Sequence, residues 1–255
     1  MKISIITACY NAASTIRTTI ESVWAQTYSD IEYLIIDGNS TDNTLKIIKE
    51  YQSNQKNHRL EIISEKDAGM YDALNKGIRM ASGEIIGILH SDDFYNHPDC
   101  LERVAETFQN PAVDSCFADI RFVNPENIEK TVRYYSSANF NPGKFRFGFM
   151  PAHPTFFVRK SYFDQTGYYK TDYRIAADFE LLMRFLYRNR LSYRYIPLDM
   201  IKMRTGGKST NSWKSNFILN REIVRACREN GVYTNLLILS LKYFIKIFEF
   251  IKTKN

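Results

Sequence analysis

The chain has 255 residues, of which 44% are hydrophobic and 24% are charged, a balance that suits one globular α/β domain with or without a C-terminal appendage. Its formal net charge of +6 favours an anionic partner, such as a nucleotide diphosphate, a lipid phosphate or a membrane surface. The excess is too small to indicate nucleic acid, and no RNA-binding or helix-turn-helix signature is present, so we expect no nucleic-acid partner.

The first 110 residues predict strands that alternate with helices. Short apolar runs predict strands at 2–7, 31–36, 60–64 and 84–89. Helices are predicted after them: one capped by Ser14 and running to about Gln26, one following the 37–42 loop, one over 67–80 and one from about Pro98. This order is typical of βαβ units, so we expect a mostly parallel central sheet flanked by helices.

After residue 111 the pattern is less regular. Strands are predicted at 114–123, 131–135, 155–159 and 192–203, a helix at 177–189 and a flexible loop at 206–209. The apolar run at 236–251 is interrupted by charges and predicts an amphipathic helix rather than a membrane span. That helix either lies on a membrane or packs on protein, within the domain or at a homodimer interface.

Polar side chains follow each of the first four predicted strands. Open α/β sheets bind ligands where strands end, so these groups are candidates for a base, a ribose and a diphosphate. Each has an alternative explanation as a turn or helix cap, but four such strand ends in succession favour a nucleotide site. In strand order, the residues are Thr7, Tyr10 and Asn11; Asp37; Asp67, Gly69, Tyr71, Asp72 and Asn75; and Ser91, Asp92 and Asp93.

The turn Ser91-Asp92-Asp93 brings two adjacent carboxylates to the end of an apolar strand. Such hard oxygen ligands suit Mg²⁺ or Mn²⁺, which bind through one or two carboxylates together with substrate phosphates. Alone, a short acidic turn is more often a cap. Its position as the fourth polar strand end favours the metal site.

Taken together, these segments resemble the family-2 glycosyltransferases, which have the GT-A fold. The resemblance covers roughly residues 1–210 and is carried, in the order of the family, by 4–11, 35–42, 65–77, 83–93, 152–157 and 177–181. Within the family, the chain is most similar to bacterial enzymes that build O-antigen, capsule or exopolysaccharide, including the colanic acid type.

The resemblance implies roles for the donor side of the site. The loop with Thr7, Tyr10 and Asn11 is expected to line the nucleotide pocket, and Asp37 is expected to hydrogen-bond the uracil of a UDP-sugar. Ser91 stands at the first acidic position of the family's metal motif. The expected ligand of Mn²⁺ or Mg²⁺ is therefore Asp93, with Asp92 near the ribose or the donor sugar.

The resemblance also implies a catalytic base, Asp178, although Ala177 replaces the acid that usually precedes it. A carboxylate near the acceptor hydroxyl can take its proton, which implies in-line displacement with inversion. The alternative for Asp178 is a carboxylate favoured by a helix N-terminus. His153 is expected either to contact donor or acceptor or to be a satisfied core histidine. Arg204 and the following Gly-Gly loop are expected to close over the diphosphate, unless that loop is only a turn.

Three hypotheses follow. The first is an inverting hexosyltransferase that uses a UDP-sugar, a divalent cation and a saccharide acceptor linked to polyprenyl diphosphate, in bacterial surface polysaccharide synthesis. The second is a nucleotidyltransferase, although the loop after the first strand lacks the glycines and basic residues it needs; a dehydrogenase fails similarly, for want of G-x-G-x-x-G. The third is a non-catalytic sugar-nucleotide or membrane-binding module, in which Asp178 is dispensable.

The expected organisation is a GT-A domain over 1–210, with a nucleotide-binding half at 1–110 and an acceptor-binding half at 111–210, followed by C-terminal helices over 211–255. The four cysteines and four histidines lack disulfide or zinc spacing, and free thiols indicate a reducing compartment. The first residues turn polar too soon for a signal peptide, so we expect a cytoplasmic protein, peripheral at the inner face of the membrane.

Overall fold

The computed structural model of the chain describes residues 1–53, 59–206 and 213–240. Its strands are β1 (Ile3–Cys9), β2 (Ile31–Asp37), β3 (Arg59–Ser64), β4 (Ile85–Ile88), β5 (Phe94–Tyr95), β6 (Ser115–Val123), β7 (Thr131–Tyr135), β8 (Phe157–Arg159) and β9 (Tyr193–Arg204). Its α-helices are α1 (Ile16–Trp24), α2 (Thr44–Ser53), α3 (Met70–Met80), α4 (Cys100–Phe108), α5 (Ser161–Thr166), α6 (Ala177–Met183) and α7 (Trp213–Glu229).

All of these strands belong to one sheet, in the order β3-β2-β1-β4-β8-β6-β9-β5, with β7 paired to β6. The strands β3, β2, β1 and β4 are mutually parallel, as the alternation of strands and helices predicts. Beyond β4 the sheet is mixed, because β8 runs antiparallel to both β4 and β6 while β9 runs parallel to β6. The predicted α/β fold with a central sheet flanked by helices is therefore confirmed.

The first two strands are buried along their whole length, because helices cover both faces of the sheet. Successive side chains point to opposite faces, so Ile6 joins the core that contains Leu74 of α3, whereas Ile5 joins the core that contains Ile20 of α1. The sheet is thus held between two apolar layers.

The predicted cap of α1 is wrong. The N-cap residue is Thr15 rather than Ser14, and no side chain caps this helix. The reason is the turn before it: Ala12 O already accepts the N–H groups of Thr15 (3.0 Å) and Ile16 (2.9 Å), and the Thr15 hydroxyl donates back to the same oxygen.

Other elements also differ from the prediction: helix α5 was not predicted, α6 continues beyond Met183 as a π-helix, and two strands differ. Strand β5 has only two residues and pairs with the distant β9, so its sequence carries no period that could reveal it. Strand β8 starts at Phe157 rather than 155, because His153–Thr155 forms a 3-10 turn. In that turn, the Thr155 hydroxyl donates to Ala118 O (2.9 Å) and accepts from Ala118 N (3.0 Å), next to a shift in the register of β6 and β9.

Helix α7 packs on the rest of the protein. Its Ile223, Ala226 and Cys227 are buried in the same core as Phe145 and Phe179. Among the described residues, no helix combines the length and the apolar character needed to cross a bilayer. The predicted loop at 206–209 after Gly206, and the predicted tail helix beyond residue 240, lie outside the described residues.

Candidate active site

The loops that follow β1, β2 and β3 meet at one side of the sheet, which we call the parallel-strand edge (residues 10–15, 38–43 and 65–69). The last residues of the three strands are in register: Cys9 lies opposite Asp37, and Asp37 lies opposite Ser64. The carboxylate of Asp37 has no exposed surface and accepts hydrogen bonds from the Ser64 hydroxyl (2.6 Å), the Ser40 N–H (3.1 Å) and the Ser40 hydroxyl. In this conformation Asp37 joins the loops, and its contact with uracil stays a prediction.

Asn11 connects the first two of these loops. Its backbone lies in the left-handed region, at φ 51°, which asparagine tolerates better than most residues. Its side-chain oxygen accepts from the Thr41 N–H (2.9 Å), and its own N–H donates to the Ser40 hydroxyl (2.9 Å). The neighbouring Tyr10 is 54% exposed and is therefore available to a ligand at this edge.

Thr7 lies beneath this surface. Its side chain is fully buried, and its hydroxyl donates to Leu89 O (2.7 Å) and contacts the Tyr33 hydroxyl (3.1 Å). Leu89 directly follows β4, so Thr7 fixes the start of the acidic turn relative to β1. The structure thus gives Thr7 a supporting position rather than one on the wall of a pocket.

The third loop lies close to the second because Gly38 has no side chain. A Cβ on Gly38 would lie 2.6 Å from Asp67 Oδ2, so only glycine allows Asp67 this position. Asp67 Oδ1 accepts the N–H of Gly69 (2.8 Å), which has φ 123° and precedes α3. Asp72 accepts the Ala68 N–H (3.0 Å) in the first turn of that helix. These predicted site residues come together at the parallel-strand edge.

Tyr71 and Asn75, both predicted to bind the nucleotide, point to a different segment. Asn75 is buried and forms two hydrogen bonds with the backbone of Tyr169, at 2.8 Å to its carbonyl oxygen and 2.9 Å from its N–H. The Tyr71 ring stacks on Tyr169, with centroids 5.7 Å apart, and its hydroxyl donates to Ile175 O. They hold the chain before α6 against α3.

The acidic turn follows β4 as predicted. The Thr19 hydroxyl donates to Ser91 O (3.0 Å) and Asp93 O (2.8 Å), so α1 fixes the turn. Arg204, at the end of β9, donates to Asp92 O and lies 4.8 Å from the centre of the Phe94 ring. The predicted lid residue therefore contacts the acidic turn itself, whereas most of the loop after it lies outside the described residues.

Asp93 is the least satisfied carboxylate of the site. It is 1% exposed, and its Oδ2 has no hydrogen-bond donor among the described residues. Burial and the nearby Asp92 raise the pKa of Asp93 well above its usual range, an effect that Arg204 only partly offsets. A buried oxygen of this kind fits a divalent cation. The part of the chain that the structure describes contains no cluster of three or more ligating side chains, so such a cation would also need ligands from a substrate.

Asp178 lies in the first turn of α6, half-buried. Its Oδ1 accepts the Phe179 N–H (2.7 Å). Burial raises the pKa of Asp178 to about 6, although the backbone N–H groups of residues 178 and 179 lower it, and the charge of Glu222 adds to the rise. A helix N-terminus stabilises a carboxylate, but here burial outweighs that effect, which is typical of a general base.

His153 is buried and contacts one residue near each of these carboxylates. Its Nε2 lies 2.7 Å from the Tyr169 hydroxyl, and its ring centre lies 5.7 Å from that of His90, which directly precedes the acidic turn. Burial, with a smaller contribution from His90, lowers the pKa of His153 to about 3, so the ring is neutral. The carboxylate of Asp178 in turn raises the pKa of Tyr169, so the two are close.

His90, Tyr169 and Glu222 were missed in the sequence. His90 stands next to the acidic turn, a position that could have drawn attention to it, whereas Tyr169 and Glu222 follow no motif. Only the fold reveals Tyr169 and Glu222, because they connect segments far apart in the chain.

Comparison with known sequences decides the family. The sequence model described as glycosyl transferase family 2 matches residues 4–167, well over half of the chain. The chain belongs to this family. It is therefore a glycosyltransferase, and the nucleotidyltransferase hypothesis has no support. The match ends before Asp178, whose role remains a prediction.

Related glycosyltransferases agree with this assignment. A PGL/p-HBAD biosynthesis glycosyltransferase of Mycobacterium bovis is 28% identical over 219 residues, which cover 86% of this chain and 82% of that protein. An uncharacterized glycosyltransferase of Mycobacterium tuberculosis is 32% identical over 186 residues, which cover 71% of this chain and 68% of that one.

Solved glycosyltransferase structures share the fold. S. aureus TarS in complex with UDP superposes with a TM-score of 0.67 at 20% identity, over 89% of this chain; the chain spans 65% of the length of that TarS fragment. The mannosyltransferase PcManGT from Pyrobaculum calidifontis, in complex with GDP-Man and Mn²⁺, superposes with a TM-score of 0.65 at 17% identity, over 88% of this chain and 64% of that one. The predicted GT-A fold is confirmed.

Proposed function

We propose that this family-2 glycosyltransferase is an inverting hexosyltransferase that transfers a sugar from a UDP-sugar to a saccharide hydroxyl. The observation that carries this proposal is the presence of two poorly satisfied carboxylates, Asp93 after β4 and Asp178 in α6, with the neutral His153 in contact with His90 before the acidic turn and with Tyr169 near Asp178. The family assignment supports transfer of a sugar, and the two carboxylates support a mechanism with one base and one site for the leaving group.

In the proposed reaction, Asp178 takes the proton of the acceptor hydroxyl. The hydroxyl oxygen forms a bond to the anomeric carbon while the bond from that carbon to the diphosphate oxygen breaks, and the electron pair leaves with UDP. A carboxylate with a pKa of about 6 is ionised at neutral pH yet basic enough to assist. Attack opposite the leaving group inverts the anomeric centre.

Asp93 would hold the divalent cation, Mn²⁺ or Mg²⁺, with Asp92 near the ribose or the donor sugar. When bound, the cation would offset the negative charge that develops on the departing diphosphate. Arg204 contacts the same turn and supplies a second positive charge near it. The neutral His153 can accept or donate a hydrogen bond to a sugar hydroxyl without adding charge.

The donor nucleotide would lie on the parallel-strand edge. Tyr10 is exposed there, and the hydrogen bonds of Asn11, Asp37 and Asp67 hold the loops in one arrangement. UDP is favoured because the TarS structure contains UDP, whereas PcManGT contains GDP-Man. Whether the nucleobase of the donor is uracil or guanine is therefore decided by experiment.

The proposed acceptor is a saccharide on a polyprenyl diphosphate, used in bacterial surface polysaccharide synthesis at the cytoplasmic face of the membrane. The net charge of +6 supports contact with an anionic surface. Apolar side chains near the end of the described chain are exposed and could contact lipid; they are Phe217, Tyr233, Leu236 and Leu237.

A donor screen tests the proposal. The purified chain is incubated with a panel of UDP-sugars and with GDP-mannose, and release of the free nucleotide is measured with Mn²⁺ or Mg²⁺ and after chelation with EDTA. We expect release from at least one UDP-sugar that requires the cation and is abolished by Asp93→Asn. Asp99→Asn is the matched control, because Asp99 pairs with Arg103 in α4 and lies outside the site. Nucleotide release that survives EDTA would exclude a requirement for the cation. Release from GDP-mannose alone would exclude UDP as the donor nucleotide.

A further inference from the structure

The backbone that leads into α6 is held by a carboxylate from α7. Glu222 Oε1 accepts the N–H of Arg174 (2.7 Å), and Glu222 Oε2 accepts the N–H groups of Ile175 (2.9 Å) and Ala176 (2.8 Å). Three consecutive N–H groups therefore converge on one side chain 46 to 48 residues away in the sequence. Hydrogen bonds to an ionised acceptor are about twice as strong as neutral ones.

The same segment is held from the opposite side by α3. The Tyr71 hydroxyl donates to the carbonyl oxygen of Ile175, so both polar groups of residue 175 are fixed by other elements. Ala176, the N-cap of α6, has no side chain that could accept a hydrogen bond, and no side chain caps α6 locally. The start of α6 is therefore positioned by Glu222 and Tyr71 rather than by its own residues.

We propose, on the basis of the function proposed above, that Glu222 is a positioning residue that holds Asp178 where it can take the acceptor proton. Asp178 lies two residues after Ala176, in the first turn of the helix that this clamp fixes. A misplacement of about 1 Å between reacting groups can lower turnover by about 100-fold, so a clamp at this point acts directly on the rate.

A second effect of Glu222 is electrostatic. Its negative charge faces the same end of α6 as Asp178 and raises the pKa of that carboxyl. The other titratable groups that face Asp178 are Tyr71 from α3 and Tyr169 from the loop before α6; burial raises the pKa of both hydroxyls, so both are neutral. Replacing Glu222 should therefore change the pH profile of turnover, which a purely structural residue would not do.

The position of Glu222 bears on where the catalytic domain ends in the sequence. Glu222 lies beyond residues 4–167, which match the family, and beyond the boundary near residue 210 that the sequence predicts. If Glu222 positions the base, α7 belongs to the catalytic domain and is not an appendage to it. The tail beyond α7 is not affected by this inference.

The test compares Glu222→Gln with Glu229→Gln in the full-length chain. Glu229 is the matched control, because it lies on the same helix and accepts hydrogen bonds from Lys170, Tyr173 and Arg225, which fix the loop before the clamped segment. Turnover, the donor KM, the pH dependence of kcat and the melting temperature are measured for each. We expect Glu222→Gln to lower kcat by about 10- to 100-fold with the donor KM within about 3-fold. Its kcat should also begin to fall at a lower pH than in the wild type. Glu229→Gln should lower the melting temperature and leave the pH profile unchanged.

Two results would overturn the inference: wild-type kcat and pH profile in Glu222→Gln, or equal effects of the two substitutions on all four quantities. If Glu222→Gln does not fold, Tyr71→Phe tests the opposite side of the clamp without a change of charge; kcat should fall by about 10-fold with the pH profile kept, and unchanged kcat contradicts the clamp. Asp178→Asn separates the two proposals. If it retains turnover, the proposed function fails, whereas if it is inactive while Glu222→Gln behaves as wild type, only the clamp fails.

Discussion

Two carboxylates, Glu32 in the parallel half of the sheet and Asp178 beyond it, have opposite surroundings. In the parallel half, Glu32 of β2 is buried, but it accepts hydrogen bonds from the Ser4 hydroxyl (2.5 Å), the Ser82 N–H (2.7 Å) and the Ser82 hydroxyl (2.6 Å). Burial alone would raise the pKa of Glu32, but these donors outweigh it and the pKa is lowered. At Asp178 burial prevails over the backbone donors, and the pKa is raised.

This difference separates structural from chemical carboxylates. A buried carboxylate with several donors holds the fold together, as Glu32 and Asp37 do, and at Glu32 the donors favour the anion. A buried carboxylate with few donors gains by taking a proton or a cation, which is what a general base or a metal ligand must do. Both Asp93 and Asp178 belong to the second kind, so substitutions in the two groups should affect different quantities.

The largest effect is expected from Asp178→Asn. An amide cannot take the proton of the saccharide hydroxyl, so kcat should fall by about 100- to 10,000-fold, while the Kd for the UDP-sugar stays within about 3-fold. Steady-state kinetics and calorimetry measure the two quantities. Asp172→Asn, six residues earlier and exposed, serves as the control and should keep its activity. Equal kcat in Asp178→Asn and the wild type would place Asp178 among the structural carboxylates.

The pH dependence of kcat should report the raised pKa of Asp178, with a smaller change in kcat than the one expected for Asp178→Asn. The base acts as the anion, and its protonated fraction grows as the pH falls through about 6. Turnover at saturating donor should therefore be near its maximum at pH 7 and about tenfold lower at pH 5, with circular dichroism as the check that the protein remains folded. A flat profile between pH 5 and 8 contradicts the raised pKa of Asp178, since an unperturbed aspartate titrates at about pH 4 and is ionised throughout that range.

Most of the parallel half could be predicted from the sequence, because its elements depend on local patterns. The apolar runs of β1 and β2 and the polar residues after them follow from the period and the composition of short segments. The resemblance to a known family assigned Asp93 and Asp178 their roles. The sequence did not reveal which side chains would be engaged: Asp37, Thr7 and Asn75 look available for a ligand, and the fold occupies each with hydrogen bonds.

The second half depends on contacts between distant segments, and these have no sequence period. β5 forms only because β9 pairs with it, and the position of Asp178 depends on Glu222 and Tyr71, which lie 44 residues after it and more than 100 residues before it. Neither residue belongs to a motif that marks such a contact. Prediction from sequence therefore singled out Asp178 without the groups that hold the start of its helix.

The smallest effect on turnover, and a clear effect on stability, is expected from Asp37→Asn. The new amide group would face either the N–H of Ser40 and the hydroxyl of Ser64, which both donate to Oδ2, or the hydroxyl of Ser40, so at least one donor loses its acceptor inside a fully buried site. The free energy of unfolding should fall by about 1 to 3 kcal/mol, measured by urea denaturation, while kcat at saturating donor stays within about 3-fold. Asp30→Asn, at a half-exposed carboxylate before β2, should leave both quantities unchanged. If instead the donor KM rises sharply and stability is kept, Asp37 contacts the uracil directly, and a carboxylate with several internal donors can still serve the ligand.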